Sequence, residues 1–203
     1  MAFANQLIRR LPVWAVYLLG ALPAPWLFYL GLTGGLGVEP VKALEHKYGE
    51  LALQLLILTL AISPLRRLLG LNLLKFRRAA GLLCFFYVLC HLLVWLVLDV
   101  QIVSQILTDI AKRPYITIGM GAFVLMLPLA LTSSNLAVRK LGRAWSRLHR
   151  LTYAAAVLGA AHYVMLSKGF QIEPLIYLGL VLFLLALRLA GSRWLRQAAG
   201  VGV

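Results

Sequence analysis

A chain of 203 residues that is 62% hydrophobic and 13% charged, with a mean hydropathy of +0.89, lies outside the range of water-soluble domains. Its formal charge of +14 does not make it a nucleic-acid binder, because the charges sit in short clusters between apolar runs and no soluble face carries them. There is no CxxC, CxxCH or Cys/His metal spacing, which argues against covalently attached haem and structural zinc.

Six apolar stretches approach the roughly 20 residues that a membrane span needs. They lie near residues 11–32, 47–65, 79–98, 115–131, 149–167 and 174–191. The chain is therefore expected to be an all-α membrane protein, a single domain built as a six-transmembrane-helix bundle. The first stretch has the outline of a signal peptide, with Arg9 and Arg10 ahead of an apolar run and small residues at Ala21 and Ala24. The run continues through Trp26, Phe28 and Tyr29, past any cleavage site, so it is read as a retained span. Gly31 and Gly35 have the spacing of a small-residue helix contact, or belong to the turn between Thr33 and Gly37. The second stretch has a short apolar run, Gly49 to Ile62, and needs residues from its flanks, with His46 just outside it.

The third stretch carries Cys84, Cys90 and His91. The cysteines are six residues apart on one helix, about 9 Å of rise, which excludes a mutual disulfide. Trp14, Trp26, Trp95 and Trp194 fall near span ends and read as interfacial anchors. The segment from Ser133 to His149 mixes Leu136, Leu141, Trp145 and Leu148 with basic residues, as a helix lying along headgroups does.

Orientation follows from the loops. Lys and Arg accumulate at Arg9–Arg10, at Arg66, Arg67, Lys75, Arg77 and Arg78, from Arg139 to Arg150, and at Arg188, Arg193 and Arg196, leaving only Lys42, Lys47, Lys112, Arg113 and Lys168 on the other side. All six acidic residues, Glu39, Glu45, Glu50, Asp99, Asp109 and Glu173, fall on that other side or at its boundary. The positive-inside rule then puts both termini in the cytoplasm.

A histidine facing hydrocarbon is costly, so one deep in a span faces the bundle interior. His91 and His162 both qualify, on the third and fifth spans, each roughly 9 to 12 Å below the outer surface. Two imidazoles at equal depth on different helices suit the two axial positions of a haem, and filling both favours electron transfer over chemistry at the iron. The other reading is that they are polar contacts or a proton relay in a small transporter or scaffold, which would be colourless. His149, 13 residues before His162 and about 20 Å away along the helix, is either an inner ligand or a headgroup-level residue. The equivalent depth on the third span holds Arg77 and Arg78, which are not ordinary haem ligands. His46 is an alternative ligand, a docking residue or a bland interface residue.

The stretch LTSSNLAVRKLGRAWSRLHRLTYAAAVLGAAHY from Leu131 to Tyr163, taken with the third span, resembles the ferric-reductase-type transmembrane domain. More closely, the chain is similar to the haem-binding membrane subunits of the bacterial periplasmic methionine sulfoxide reductase system. GGLGVEPVKALEHKYGE from Gly34, RRAAGLLCFFYVLCHL from Arg77, KRPYITIGM from Lys112 and EPLIYLGLVLFLLALR from Glu173 carry the resemblance over nearly the whole length. It implies a b-type haem protein of the inner membrane with an associated flavin mononucleotide (FMN). Electrons would pass from the quinone pool to a periplasmic molybdopterin-containing catalytic subunit, the other half of a heterodimer. His91 and His162 would ligate the outer haem and His149 would serve an inner cofactor, with the number of haems, one or two, left open by Arg77 and Arg78. No cytoplasmic flavin and nicotinamide domain follows the spans, so direct use of a nicotinamide nucleotide would need a separate reductase. A quinone-linked b-type cytochrome serving another partner fits the same residues.

Overall fold

A computed structural model describes residues 2–167 and 171–198, with side chains described for 3–167 and 171–190. Among these residues every regular element is helical. In chain order they are α1 (Ala2–Arg10), α2 (Val13–Ala21), α3 (Pro23–Leu32), α4 (Pro40–Leu69), α5 (Arg77–Leu93), α6 (Val103–Lys112), α7 (Pro114–Leu131), α8 (Asn135–Leu141), α9 (Arg143–Leu148), α10 (Leu151–Leu166) and α11 (Ile172–Ala198). A short 3-10 turn, Leu74–Phe76, precedes α5, and a π-helical stretch, Val94–Val100, follows it.

Five stretches are long and apolar enough to cross a bilayer: Val13–Leu32, Pro40–Leu69, Leu74–Val100, Pro114–Leu131 and Ile172–Ala190. The remaining expected span is α10, whose 16 residues reach about 24 Å at 1.5 Å per residue. Its Ala155, Ala156 and Ala160 are fully buried and let neighbouring backbones come close.

Four helices form a closed ring. Helix α4 packs on α5, α5 on α7, α7 on α10, and α10 returns to α4. Helices α5 and α10 therefore stand on one diagonal and α4 and α7 on the other. The broken first span lies outside the ring, α2 against α5 and α3 against α4, and α11 covers α10 and α4. Pro23 and Pro25 explain the break between α2 and α3, since a proline ring removes a backbone donor and clashes with the preceding turn. Two buried tyrosines tie that break to the ring, Tyr48 donating to the Ala24 carbonyl and Tyr87 to the Gly20 carbonyl, both at 2.7 Å.

The second span is longer than 47–65. Helix α4 starts at Pro40, which suits the first helical turn, and ends at Gly70 in the left-handed conformation (φ 67°). Gly34 and Gly37 also have positive φ, so Gly31 and Gly35 border a turn and not a helix contact. The segment after α7 is two short helices, α8 and α9, bent at Gly142 (φ 49°). Cys84 is buried in the core and Cys90 is half-buried, both as free thiols.

Two sequence expectations need correction. Trp14 and Trp26 are 67% and 59% exposed, as anchors should be, but Trp95 is only 8% exposed. The π-helical stretch widens the helix just beyond His91 and turns Val94 and Trp95 inward. Arg188, grouped above with the inner loop charges, is 9% exposed and lies within the bundle. Lys168 lies outside the described residues, as do the side chains of Arg193, Trp194 and Arg196.

Candidate functional site

His91 on α5 and His162 on α10 project from the diagonal pair of helices and meet across the ring interior. Their ring centroids are 6.1 Å apart and their planes cross at 80°. Metal–imidazole bonds run about 2.0–2.1 Å, so two ligands on opposite sides of one metal place their ring centroids roughly 6 to 6.5 Å apart. The observed spacing falls in that range.

Each ring is fixed by the other diagonal pair. His91 Nδ1 lies 2.9 Å from the Glu45 carbonyl on α4, and His162 Nδ1 lies 2.7 Å from the Tyr115 carbonyl at the start of α7. A carbonyl oxygen only accepts, so in both rings Nδ1 carries the proton and Nε2 keeps its lone pair. That is the tautomer a metal ligand needs, held by a backbone partner behind it.

The two carbonyls are reachable for the same local reason. Four residues after Glu45 comes Gly49, and four after Tyr115 comes Gly119, so each imidazole lies over the one position of that turn that has no side chain. A Cβ at Gly49 would meet His91 Nδ1 at 3.2 Å, and one at Gly119 would meet His162 Nδ1 at 2.8 Å. Sequence reasoning missed both glycines. The readable signal was a glycine one turn beyond a carbonyl at the matching depth of the facing span.

The cavity around the pair measures about 570 Å³. Its floor is apolar, with Leu53, Leu56, Val88, Phe123 and Met126, and its mouth is polar and of mixed charge, with Glu45, Glu50, Asp99, Lys42, Arg113 and His46. Buried Trp95 lines it as well. His46 thus stands at the entrance, exposed, and is not brought into the pair. Among the described residues no three His, Cys, Asp or Glu side chains gather into a metal cluster. A planar tetradentate group, which brings its own equatorial donors and asks for two axial imidazoles, fits what this cavity offers.

His149 belongs to a different cavity of about 470 Å³, which it lines with Arg77, Arg78, Arg150 and Arg188. Thr132 Oγ1 donates to the Pro128 carbonyl at 2.6 Å and lies 3.0 Å from His149 Nε2. The hydroxyl therefore accepts from that ring nitrogen. The His149 ring also stacks on Trp145 at 3.9 Å, and the indole N–H donates to the Thr132 carbonyl. The structure does not bring His149 together with His91 and His162.

Residues 48–160 match the family described as ferric reductase like transmembrane component, a stretch that holds His91, both glycines and His149 and ends just before His162. The protein-methionine-sulfoxide reductase heme-binding subunit MsrQ of Brucella anthropi is 51% identical over 178 residues, covering 87% of this chain and 81% of that protein. The proteins of the same name from Brucella ovis and Brucella canis are 51% identical over 179 residues, covering 88% of this chain and 81% of theirs. No solved structure matches the chain. With more than half its length in the family match and half of the aligned residues identical to these relatives, the chain belongs to the ferric-reductase-like transmembrane family, in the branch of the protein-methionine-sulfoxide reductase heme-binding subunits.

Proposed function

We propose that this chain is the haem b electron-transfer subunit of a methionine sulfoxide reductase system, with His91 and His162 as the axial ligands of one haem. The observation that carries this is the pair of imidazoles with ring centroids 6.1 Å apart, each with Nδ1 committed to a backbone carbonyl and Nε2 without a hydrogen bond among the described residues. Haem with both axial positions filled supplies a one-electron change at iron without a vacancy for substrate. The protein holds the two ligands at fixed separation, keeps them in the ligating tautomer and encloses the site in apolar side chains. The heme-binding subunits that the chain matches support the reading.

The finer reading is a six-span protein of the bacterial inner membrane with both termini in the cytoplasm, α10 being the fifth span. The loop charges support it, since Lys and Arg concentrate at the ends taken as inner, where four arginines and no carboxylate line the His149 cavity, while the His91–His162 cavity has three carboxylates beside Lys42 and Arg113. Electrons enter from membrane quinone, with FMN as an associated cofactor, and leave at the periplasmic face to a molybdopterin-containing catalytic subunit. Only the family resemblance supports the quinone, the flavin and the molybdopterin partner. His149 is read as outside the haem pair, because its Nε2 is engaged by Thr132.

The test is a reduced-minus-oxidised optical spectrum of the full chain with haem quantified, alongside His91→Ala and His162→Ala. A b-type spectrum with about one haem per chain, lost in both variants, is expected. A colourless wild type after haem-supplemented expression overturns the proposal in favour of a transporter or scaffold.

The carboxylates of the outer side give a second expectation. Neutralising Asp99, Asp109 and Glu173 together should slow association with the catalytic partner about tenfold at low ionic strength, and the difference should shrink as salt is added. Stopped-flow reoxidation of the reduced protein by the partner measures this; unchanged rates at low salt would remove the docking role from these carboxylates.

A further inference from the structure

Two axial imidazoles define a line through a metal, but not the rotation of a planar group about that line. His91 and His162 therefore leave open which edge of the haem faces the floor of their cavity and which faces its mouth. The floor residues Leu53, Leu56, Val88, Phe123 and Met126 carry no charge and no side-chain N–H, so a carboxylate placed among them would be desolvated without a partner. The mouth is open to water and holds Lys42 and Arg113 beside its own carboxylates. The edge of the haem that bears its two carboxylates is thus turned to the mouth.

One buried residue between the ligand and the mouth is equipped to meet that edge. Trp95 follows His91 by four residues in the direction of Asp99, about one turn or roughly 6 Å along the axis. The π-helical stretch swings it inward. That wide turn is closed by the Gln101 N–H on the Leu96 carbonyl at 3.3 Å and ends with Gln101 in the left-handed conformation (φ 60°), which a residue other than glycine rarely adopts. A regular helix would avoid that cost, and such strain gathers where a site needs a particular side chain in place.

The Trp95 side chain is 8% exposed, yet its indole N–H makes no hydrogen bond among the described residues. Inward tryptophans normally find an acceptor, as Trp145 does at the Thr132 carbonyl, 2.9 Å away. No side-chain nitrogen or oxygen among these residues is both sealed off and without a partner, so the Trp95 N–H opens onto space, and the space that Trp95 lines is this cavity. Of the buried side chains described on the cavity wall, it is the one with an N–H. Asp99, four residues on and also on the wall, is exposed and does not accept from it.

We propose that Trp95 is a positioning residue that donates its indole N–H to a carboxylate of the haem, fixing the rotation of the group about the His91–His162 line. This rests on the haem reading and adds to it a third contact, from the stretch that follows one ligand on the same span. The π-helical turn then has a purpose, since it brings a donor to the edge of the group that the apolar floor cannot hold.

The experiment uses the full chain in detergent, as wild type and as Trp95→Phe, which keeps an aromatic ring and deletes the N–H. Each is loaded with protohaem or with etiohaem, in which alkyl groups replace the carboxylate-bearing side chains. Loss of haem to excess apomyoglobin is timed, and the carboxylate bending band of bound protohaem is read by resonance Raman. Both proteins should show the same bis-imidazole spectrum. Protohaem should leave Trp95→Phe roughly tenfold faster than wild type or more, the scale of a hydrogen bond to a charged acceptor, and its carboxylate band should shift. With etiohaem the two proteins should lose the group at the same rate. Equal rates with protohaem, an unshifted band, or an equal penalty with etiohaem, which would trace the effect to ring packing, overturns the role of Trp95 while leaving both ligands in place. A colourless wild type instead removes the haem reading, and the role of Trp95 with it. Should Trp95→Phe fail to fold, the wild type loaded in turn with the two haems decides: the ultraviolet Raman band that reports indole hydrogen bonding should move to its bonded position with protohaem only, and no difference between the two overturns the proposal.

Discussion

Replacing Gly119 by alanine is expected to strip haem from the protein while leaving the bundle folded. A Cβ there would stand 2.8 Å from His162 Nδ1, closer than real contacts allow, and a tight 3.0 Å from Cε1, so the ring must leave the Tyr115 carbonyl. Losing the hydrogen bond behind a metal-ligating histidine typically weakens metal affinity about 10- to 100-fold. Helix propensity works in the opposite direction, since alanine is better than glycine in a helix interior by about 1 kcal/mol. Fold stability and haem retention should therefore separate. Gly49→Ala, with its Cβ at 3.2 Å from His91 Nδ1, should have the same effect at smaller size, because a shift of a few tenths of an ångström relieves it. Gly121→Ala is the control on the same helix, where the new atom meets Leu158 at an ordinary 3.8 Å. Haem titration of the three variants, read with their thermal unfolding in detergent, checks the order. Full haem affinity in Gly119→Ala would show that the turn does not hold the ring.

Arg188→Met is expected to destabilise the protein by about 1–3 kcal/mol, and removing Pro64 should recover much of that loss. Pro64 lies inside α4 and has no N–H, so the Leu60 carbonyl one turn earlier has no helical donor. Arg188 Nε supplies the donor from α11 at 3.0 Å. Without the guanidinium, a buried carbonyl is left unpaired, which costs about 1–3 kcal/mol. In the Arg188→Met background, Pro64→Ala restores the backbone N–H and closes the helical bond. The double variant should then be more stable than the sum of the single changes predicts by about 1 kcal/mol or more. Chemical unfolding in micelles of the four proteins measures the coupling; strict additivity would show that Arg188 does not serve the Leu60 carbonyl.

Both expectations rest on contacts between residues far apart in the chain, and that marks the boundary of what could be read beforehand. The apolar stretches appear in the structure because an apolar run of that length admits few other fates. The boundaries of the second span were harder, since Lys42, Glu45, Lys47 and Glu50 break the hydropathy while Pro40 and Gly70 mark the true ends of the helix. Trp95 was misread for a related reason. Its distance from Asp99 suggested an interface, but the π-helical turn after His91 rotates it inward, and nothing in local composition announces a change of helical pitch.

Hydropathy, loop charge and the depth of two histidines along their helices are properties of single segments, and they determined the membrane class and the choice of His91 and His162. Only the tertiary structure decided that α5 and α10 stand on one diagonal with the His91 and His162 ring centroids 6.1 Å apart, that Gly49 and Gly119 open carbonyls to the two rings, and that Arg188 turns from an apparent loop charge into a buried donor for a carbonyl freed by Pro64. The physical reason is that span formation is set by transfer of each segment into lipid, residue by residue. Tautomer, ligand spacing and the fate of a buried charge depend instead on which backbone groups a neighbouring helix brings within about 3 Å, and that is settled by packing among helices distant in sequence.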